Sequence, residues 1–179
     1  NIKIDHNTPK LVDFQPIERQ PIKGLIQSWL VSDMFEEALL DHPDAINSVI
    51  HNREWHNVIE VEEGIAANIS RVHNLSKKTG NTVFAKVQIN SKTAQLKLLE
   101  FGYSDRVLVI LNGKPIYRGT NKFRSRDYRY LGTVGLFDAA YLDLKKGKNT
   151  LLMAVSEDFG GWLVTARIKG VEEINIWNQ

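Results

Sequence analysis

The chain has 179 residues, 42% of them hydrophobic, which is enough for one domain with an ordinary core. Its 23 basic residues nearly balance its 21 acidic ones, and no apolar run is long enough to cross a bilayer, so we expect neither a nucleic-acid nor a membrane partner. The absence of cysteine excludes disulfides, thiolate metal sites and cysteine nucleophiles.

The first part of the chain predicts an arm followed by a single domain. Residues 1–23 contain three of the five prolines and show little periodicity, which indicates an extended arm or linker. A first strand is predicted at 24–32, "GLIQSWLVS". We therefore expect a single β-sandwich domain over residues 24–179.

A short helix is predicted directly after the first strand. In "SDMFEEALLDHPD", Asp33 and Glu36 have the spacing of a capping box, and apolar residues recur at helical intervals. Pro43 is a stop signal, so the helix is expected to end there. Residues 44–54 show no comparable pattern and are predicted to be looser.

From Trp55 onward the hydrophobic period is two, which is typical of strands. "WHNVIEVEEG" and "ANISRVHNLS" predict short strands, and "KKTGN" predicts a turn. Residues 107–111 are apolar on both faces, which favours a central strand. In "TVFAKVQI" two faces alternate, one formed by Val83, Ala85, Val87 and Ile89 and the other by Phe84, Lys86 and Gln88.

The second half of the chain continues the strand pattern. Asn112-Gly113 is a strong hairpin signal, because both central residues of the favoured turn need positive φ. Further strands are predicted on both sides of a turn at 147–149, and "INIWNQ" predicts an edge strand. The predicted fold class is all-β, an antiparallel jelly-roll sandwich with one short helix near the N-terminus. In the strand of "GWLVTARIKG" one face carries Trp162, Val164, Ala166 and Ile168.

Two longer motifs resemble a known family. They are "FGYSDRVLVILNGKPIYRG" at 101–119 and "LDLKKGKNTLLMAVSEDFGGW" at 142–162. Residues 82–168 resemble the jelly-roll modules of the galactose-binding-domain-like superfamily, above all the sugar-binding domain at the start of family 2 glycoside hydrolases. The motifs are mostly structural, so the resemblance implies a fold more than a ligand.

Trp162 has two interpretations. Its place in the alternation favours a core residue, with Gly160-Gly161 allowing a bulge or a close backbone approach. Alternatively, the glycine pair leaves the indole exposed as a stacking platform for a sugar ring, while Glu157 and Asp158 accept hydrogen bonds from its hydroxyls.

Residues 117–132, in which basic and aromatic side chains are interleaved, predict a loop. Such a loop can bind single-stranded nucleic acid or an anionic sugar, the latter through Arg124, Arg126 and Tyr128, and the nearly neutral net charge argues against nucleic acid. The other interpretation is a solvated loop whose arginines pair with nearby acids such as Asp127. The predicted ligand-binding residues are Trp162, Asp158, Arg124, Arg126 and Tyr128.

The sequence contains little that indicates catalysis. Ser156 lacks a nucleophile-elbow motif, and the histidines lack zinc-site spacing. A glycosidase needs two facing carboxylates, and only one, Glu157 or Asp158, is suggested. No catalytic residue and no cofactor are predicted, although loop carboxylates could hold a structural Ca²⁺.

Three functions follow from these patterns. We expect a non-catalytic carbohydrate-binding or accessory module, whose partners are a carbohydrate or a catalytic domain of the same polypeptide. The alternatives are a small polysaccharide-degrading enzyme that acts on acidic sugar and a structural protein-interaction domain, with a homodimer as one option. A glycan-acting parent protein would be extracellular or periplasmic.

Overall fold

The computed structural model describes residues 21–62, 64–75, 80–122 and 133–177. In these residues two antiparallel sheets pack face to face, so the predicted all-β sandwich is confirmed. In chain order the strands are β1 (Ser28–Ser32), β2 (Trp55–Glu60), β3 (Ala67–Asn68), β4 (Thr82–Ser91), β5 (Gln95–Tyr103), β6 (Arg106–Leu111), β7 (Lys114–Thr120), β8 (Asp138–Leu144), β9 (Gly147–Ser156), β10 (Leu163–Ile168) and β11 (Ile174–Trp177).

The two sheets differ in size. The larger has seven strands in the order β2-β1-β4-β9-β6-β7, with β11 also paired to β4. The smaller has four strands in the order β3-β10-β5-β8. The predicted edge strand near the C-terminus is therefore confirmed as β11. Residues 1–20 lie outside the described residues, so the predicted arm stays a prediction.

The main core lies between the sheets and follows the predicted alternation. Every second residue of β4 points into it, and so does one face of β10, as predicted. Side chains in a strand alternate between the two faces, so a strict two-residue pattern identifies the buried face directly. The residues named for these faces are all buried: Val83, Ala85, Val87, Ile89, Trp162, Val164, Ala166 and Ile168.

A second core lies on the outer face of the larger sheet. The alternation predicts that Phe84 shares a more polar face, but Phe84 is fully buried and packs against Phe35 in a tilted arrangement with ring centroids 4.7 Å apart. The segment between β1 and β2 covers this face and removes its side chains from water. The second core comprises Phe35, Leu40, Ile46, Val49, Phe84, Leu108, Ile110, Leu152 and Ala154.

The helix in the covering segment begins later than predicted. Helix α1 spans Ile46–His51, in the stretch predicted to be looser, and the predicted helical stretch has only short 3₁₀ turns at Glu37–Leu40 and Pro43–Ala45. Asp33 does not cap a helix, because its carboxylate accepts hydrogen bonds from Arg53 Nη1 and the backbone N–H of Glu54. Pro43 starts a helical turn, which its fixed φ favours.

The motifs behind the family resemblance stabilise neighbouring turns. Asn112 and Gly113 have φ values of +51° and +80°, as the hairpin prediction requires. Asn112 Nδ2 donates to Asn149 Oδ1 at 2.9 Å, and Asn149 Nδ2 donates to the carbonyls of Lys145 and Gly147. Buried Asn149 thus holds the β8–β9 turn against the β6–β7 hairpin.

Candidate functional site

The candidate site lies at one end of the larger sheet. There the strand register aligns four polar residues across β4, β9, β6 and β7, namely Thr82, Ser156, Arg106 and Thr120. In β4, β9 and β6 these residues lie two positions from Phe84, Ala154 and Leu108 of the second core. Residues two apart in a strand face the same side, so the polar residues lie on the outer face of the sheet. Ser156 forms a buried hydrogen bond with Thr82, so its hydroxyl has a structural partner.

Arg106 is the centre of a charge cluster at this end. Its Nε lies 2.8 Å from both carboxylate oxygens of Glu37, and its Nη2 lies 2.5 Å from Glu37 Oε2. On its other side, Nη1 and Nη2 donate to the two oxygens of Asp158 at 2.7 and 2.8 Å. A guanidinium held bidentately by two carboxylates is fixed in orientation.

Asp158, a predicted ligand-binding residue, has further partners. Lys122 Nζ lies 2.5 Å from its Oδ2, and Asn81 Nδ2 donates to its Oδ1 at 3.2 Å. The hydrogen bonds that Arg106 donates to Asp158 hold the pKa of Asp158 well below its usual range, and the same bonds raise the pKa of Arg106. The side chains of Asp158 and Lys122 are 42% and 45% exposed, so the outer edge of the cluster is open to a ligand.

Glu157 organises the loop that follows β9. Its Oε1 accepts hydrogen bonds from the backbone N–H groups of Asp158, Phe159 and Gly160, and its Oε2 accepts one from Ser104 Oγ. This carboxylate is almost fully buried, so it acts as an internal anchor for the loop and is not open to a ligand.

Asp105 lies beside this anchor on the turn between β5 and β6. It accepts a hydrogen bond from the backbone N–H of Asp158 at 3.3 Å. Burial, followed by the nearby charge of Glu157, raises the pKa of Asp105. Two neighbouring carboxyls in one partly buried place disfavour double ionisation.

Phe159, at the tip of this loop, is a functional candidate that the sequence interpretation missed. Its side chain is 97% exposed and directly follows Asp158. Gly160 and Gly161 have φ values of +148° and +81°, and a Cβ at either position would meet no atom within 4 Å. The glycines are therefore explained by their positive φ values, which other residues rarely adopt, and not by close packing of a neighbouring atom against them.

The predicted alternatives for Trp162 are resolved by its burial. The indole is 0% exposed, packs in the main core, and donates from Nε1 to the carbonyl of Val155 at 3.1 Å. A ring without exposed surface cannot stack on a sugar, so the platform prediction is corrected, and the core interpretation describes this residue. The sequence signal that could have indicated an exposed Phe159 is its position between β9 and β10, outside the two-residue alternation of either strand.

The other predicted site residues, Arg124, Arg126 and Tyr128, lie outside the described residues and stay predictions. Nearby, Arg118 belongs to β7, where its Nη2 donates to the carbonyl of Leu40 at 2.8 Å. Its Nη1 lies 3.5 Å from Asp41 Oδ1. Arg118 thus connects β7 to the segment between β1 and β2 that covers the second core.

Two cavities lie beside the charge cluster. The first, of about 250 Å³, is lined by Glu37 and Arg106 at its charged side and by Leu40, Leu108 and Ala154 at its apolar side. The second, of about 350 Å³, extends past Pro115 and shares Leu40, Leu108 and Arg118 with the first. Apolar surface next to fixed polar groups is typical of small-molecule sites.

Within 21–62, 64–75, 80–122 and 133–177, no group of three or more histidine or acidic side chains could hold a metal ion. None of the helices in these ranges is long and apolar enough to span a bilayer. The structural Ca²⁺ stays a prediction.

The chain was compared with known proteins. No protein-family model and no curated protein matches it. Among solved structures, a family 35 carbohydrate-binding module from an environmental isolate shares 14% identity with a TM-score of 0.40, over 55% of this chain and 73% of that one. A β-glucosidase from Kluyveromyces marxianus shares 12% identity with a TM-score of 0.47, over 84% of this chain and 16% of that one.

A third structure is a family 2 β-galacturonidase from Eisenbergiella tayi bound to galacturonate. It shares 12% identity with a TM-score of 0.43, over 80% of this chain and 24% of that one. This chain thus spans less than a quarter of the length of either enzyme.

Proposed function

We propose that this chain is a non-catalytic carbohydrate-binding module, with its sugar site at the Arg106 end of the larger sheet. The observation that carries the proposal is the exposed side chain of Phe159, which directly follows Asp158 in the chain, the residue paired with Arg106. Aromatic faces cover the CH groups of a pyranose ring, and neighbouring charged groups exchange hydrogen bonds with its hydroxyls.

The charge cluster suits hydroxyl groups because its members are held in place before a ligand arrives. Glu37 and Asp158 fix the guanidinium of Arg106 from two sides, and Lys122 approaches Asp158 from a third direction. A carboxylate has about four lone-pair sites, and Asp158 already has four donors, namely Arg106 Nη1 and Nη2, Asn81 Nδ2 and Lys122 Nζ. A sugar hydroxyl that hydrogen-bonds to Asp158 would therefore take the place of the exposed Lys122 ammonium group. Preorganised groups lose little conformational freedom on binding, which favours affinity.

The carboxylates of the site suit binding better than acid–base catalysis. Because the pKa of Asp158 is held low, this residue stays ionised at neutral pH and is a poor proton donor. Glu157 is buried and occupied by three backbone N–H groups and Ser104. These features support the binding module over a polysaccharide-degrading enzyme, and an attached catalytic domain would then supply any hydrolysis.

A glycan array with purified protein tests the proposal. Wild-type chain should bind at least one class of glycan, and Phe159→Ala should lower that signal at least tenfold while its melting temperature stays near that of the wild type. Tyr141→Ala is the matched control, because Tyr141 is a 68% exposed aromatic residue on the smaller sheet.

Wild-type binding that survives Phe159→Ala would remove the site from this end of the sandwich. An array without any glycan signal would refute the carbohydrate-binding function itself. Release of reducing ends from a bound polysaccharide would show instead that the chain is an enzyme.

A further inference from the structure

β8 forms one edge of the smaller sheet. Within the described residues it pairs with β5 alone, in an unbroken register that runs from Gln95 opposite Leu144 to Phe101 opposite Asp138. In an edge strand, every second residue directs its backbone N–H and C=O groups away from the sheet, so that another strand can pair with them. The seven residues of β8 extend over about 23 Å at roughly 3.3 Å per residue, which is enough for a full partner strand.

The other sheet edges in the described ranges carry features that hinder pairing with another chain. β7 contains Lys114 and Pro115, and a register shift interrupts its pairing with β6. A register shift also interrupts the pairing of β2 with β1, and β3 and β11 have only two and four residues. Lysine, proline, bulges and short strands all protect an edge. β8 has a regular register and neither lysine nor proline, and residues 139–142 in its middle are uncharged.

The exposed face beside this edge is largely apolar. Tyr141 of β8 is 68% exposed, and Leu96 of β5 is 64% exposed. Leu98 lies opposite Tyr141 in the register, so these three side chains share the outer face of the smaller sheet. A second copy on the β8 edge would shield part of Tyr141 from water, and aromatic pairs across neighbouring strands stabilise a sheet.

The sequence of β8 suits antiparallel pairing with a second β8. When Tyr141 lies opposite Tyr141 of the second copy, all seven residues have a partner, and exposed residues meet exposed ones. Ala139 of each copy then lies opposite Asp143 of the other, and Ala140 lies opposite Leu142. Like charges directly opposite each other would destabilise the pairing, and this register contains none.

The charges at the two ends of β8 are complementary. The strand begins with Asp138 and is followed directly by Lys145 and Lys146, both of which are exposed. Antiparallel pairing brings the basic end of each copy to the acidic start of the other. Opposite charges on neighbouring strands stabilise their pairing, so the same register suits both ends.

We propose that two copies of this chain form a symmetric dimer by antiparallel pairing of their β8 strands. The two four-stranded sheets then become one continuous sheet. A stable interface typically buries about 800 Å² on each partner, and a single strand edge covers less, so we expect a Kd on the order of 10–100 µM. The dimer uses the smaller sheet, whereas the proposed sugar site lies on the larger one, so neither depends on the other.

Sedimentation velocity over a concentration series that spans this Kd tests the dimer. Ala139→Asp places two carboxylates opposite each other at two symmetric positions and should weaken the dimer about tenfold. Adding Asp143→Lys restores an opposite-charge pair at both positions and should bring the Kd back to the wild-type range. Ala38→Asp is the matched control, since Ala38 is an exposed alanine in the 3₁₀ turn Glu37–Leu40 and should leave the Kd unchanged.

Ala139→Asp should leave the fold intact. Ala139 is exposed, and Glu100, its neighbour on β5, is already paired with Arg167 and Lys169. A thermal melt at a concentration below the Kd separates a loss of the dimer from a loss of folding.

The register makes a second, more specific prediction. Because the chain lacks cysteine, Tyr141→Cys introduces a single thiol that faces its symmetry mate, with Cβ atoms about 4.5–5.5 Å apart. Mild oxidation should therefore yield a disulfide-linked dimer. Leu96→Cys is the matched control, because three strand spacings of about 4.8 Å separate the two copies of Leu96, and no disulfide can span them.

Three results would overturn this inference. A chain that stays monomeric at every concentration would refute the dimer, and association that Ala139→Asp leaves unchanged would place the contact outside β8. A loss that Asp143→Lys does not restore would refute the register. A glycan array is read with protein far below the expected Kd, where the chain is monomeric. Failure of the dimer therefore leaves the sugar site untouched, and a silent array leaves the dimer untouched.

Discussion

Phe159 and Trp162 lie three positions apart in one loop and occupy opposite environments. Phe159 is 97% exposed at the loop tip, whereas Trp162 is 0% exposed in the core between the sheets. Trp162 directly precedes β10 and already follows the alternation of that strand. Trp162 therefore continues the buried face of β10. Phe159 precedes two glycines with positive φ, and there the chain turns its side chain into solvent.

The largest expected effect concerns the buried member of this pair. Trp162→Ala should lower the free energy of unfolding by about 3–5 kcal/mol, because it leaves a cavity in the main core. Urea denaturation followed by circular dichroism measures this loss, and Trp162→Phe should lose less. A loss of less than about 1 kcal/mol, as is usual for an exposed side chain, would contradict the assignment of Trp162 to the core.

A smaller loss is expected for Glu157, the anchor of the loop that carries both aromatic residues. Glu157→Ala removes the acceptor for three backbone N–H groups and should cost about 1–3 kcal/mol of unfolding free energy. Glu157→Gln keeps an acceptor oxygen at that position and should cost less. Equal losses for both variants would show that the charge matters more than the hydrogen bonds. The measurement is again urea denaturation.

Asp158 should contribute to stability in a pH-dependent way. Its folded-state pKa is lowered by Arg106, so its stabilisation is complete above the unfolded value of about 3.9 and is lost as pH falls toward the folded value. Asp158→Asn should therefore cost about 0.5–1 kcal/mol at pH 7, and the difference from wild type should shrink below pH 4.

Unfolding curves of wild type and Asp158→Asn at a series of pH values between 2 and 7 measure this difference. Asn81→Ala is the control, because it removes a hydrogen-bond donor to Asp158 without changing the charge of the cluster. A difference that is constant over the whole series would contradict an ionised, paired Asp158.

The smallest effect on the free energy of unfolding is expected for Phe159, the exposed aromatic residue. Phe159→Ala removes a side chain with almost no buried surface, so the free energy of unfolding should change by less than about 0.5 kcal/mol. A thermal melt of the variant checks this. A drop as large as that of Trp162→Ala would mean that Phe159 packs against the body of the domain.

The strands could be predicted because one face of each is buried and the side chains alternate. β4 and β10 are the clearest cases, and the β6–β7 hairpin follows from Asn112-Gly113 alone. The position of α1 could not be predicted, because the carboxylate of Asp33, the expected capping residue, accepts hydrogen bonds from Arg53 and Glu54, which lie about 20 positions away.

The site was less predictable than the strands. Arg106 is separated from Glu37 by 69 positions and from Asp158 by 52, so only the folded sheet brings the three together. Of the cluster, sequence reasoning identified Asp158. It named Trp162 as a ligand-binding residue although the alternation favoured a core position for it, and it did not consider Phe159, which the folded loop exposes.

The most direct measurement is a crystal structure of the chain with the glycan that the array selects. The account predicts a sugar ring stacked on Phe159, with hydroxyls hydrogen-bonded to Asp158. A sugar bound on the outer face of the smaller sheet near Tyr141, with Phe159 in solvent, would contradict it.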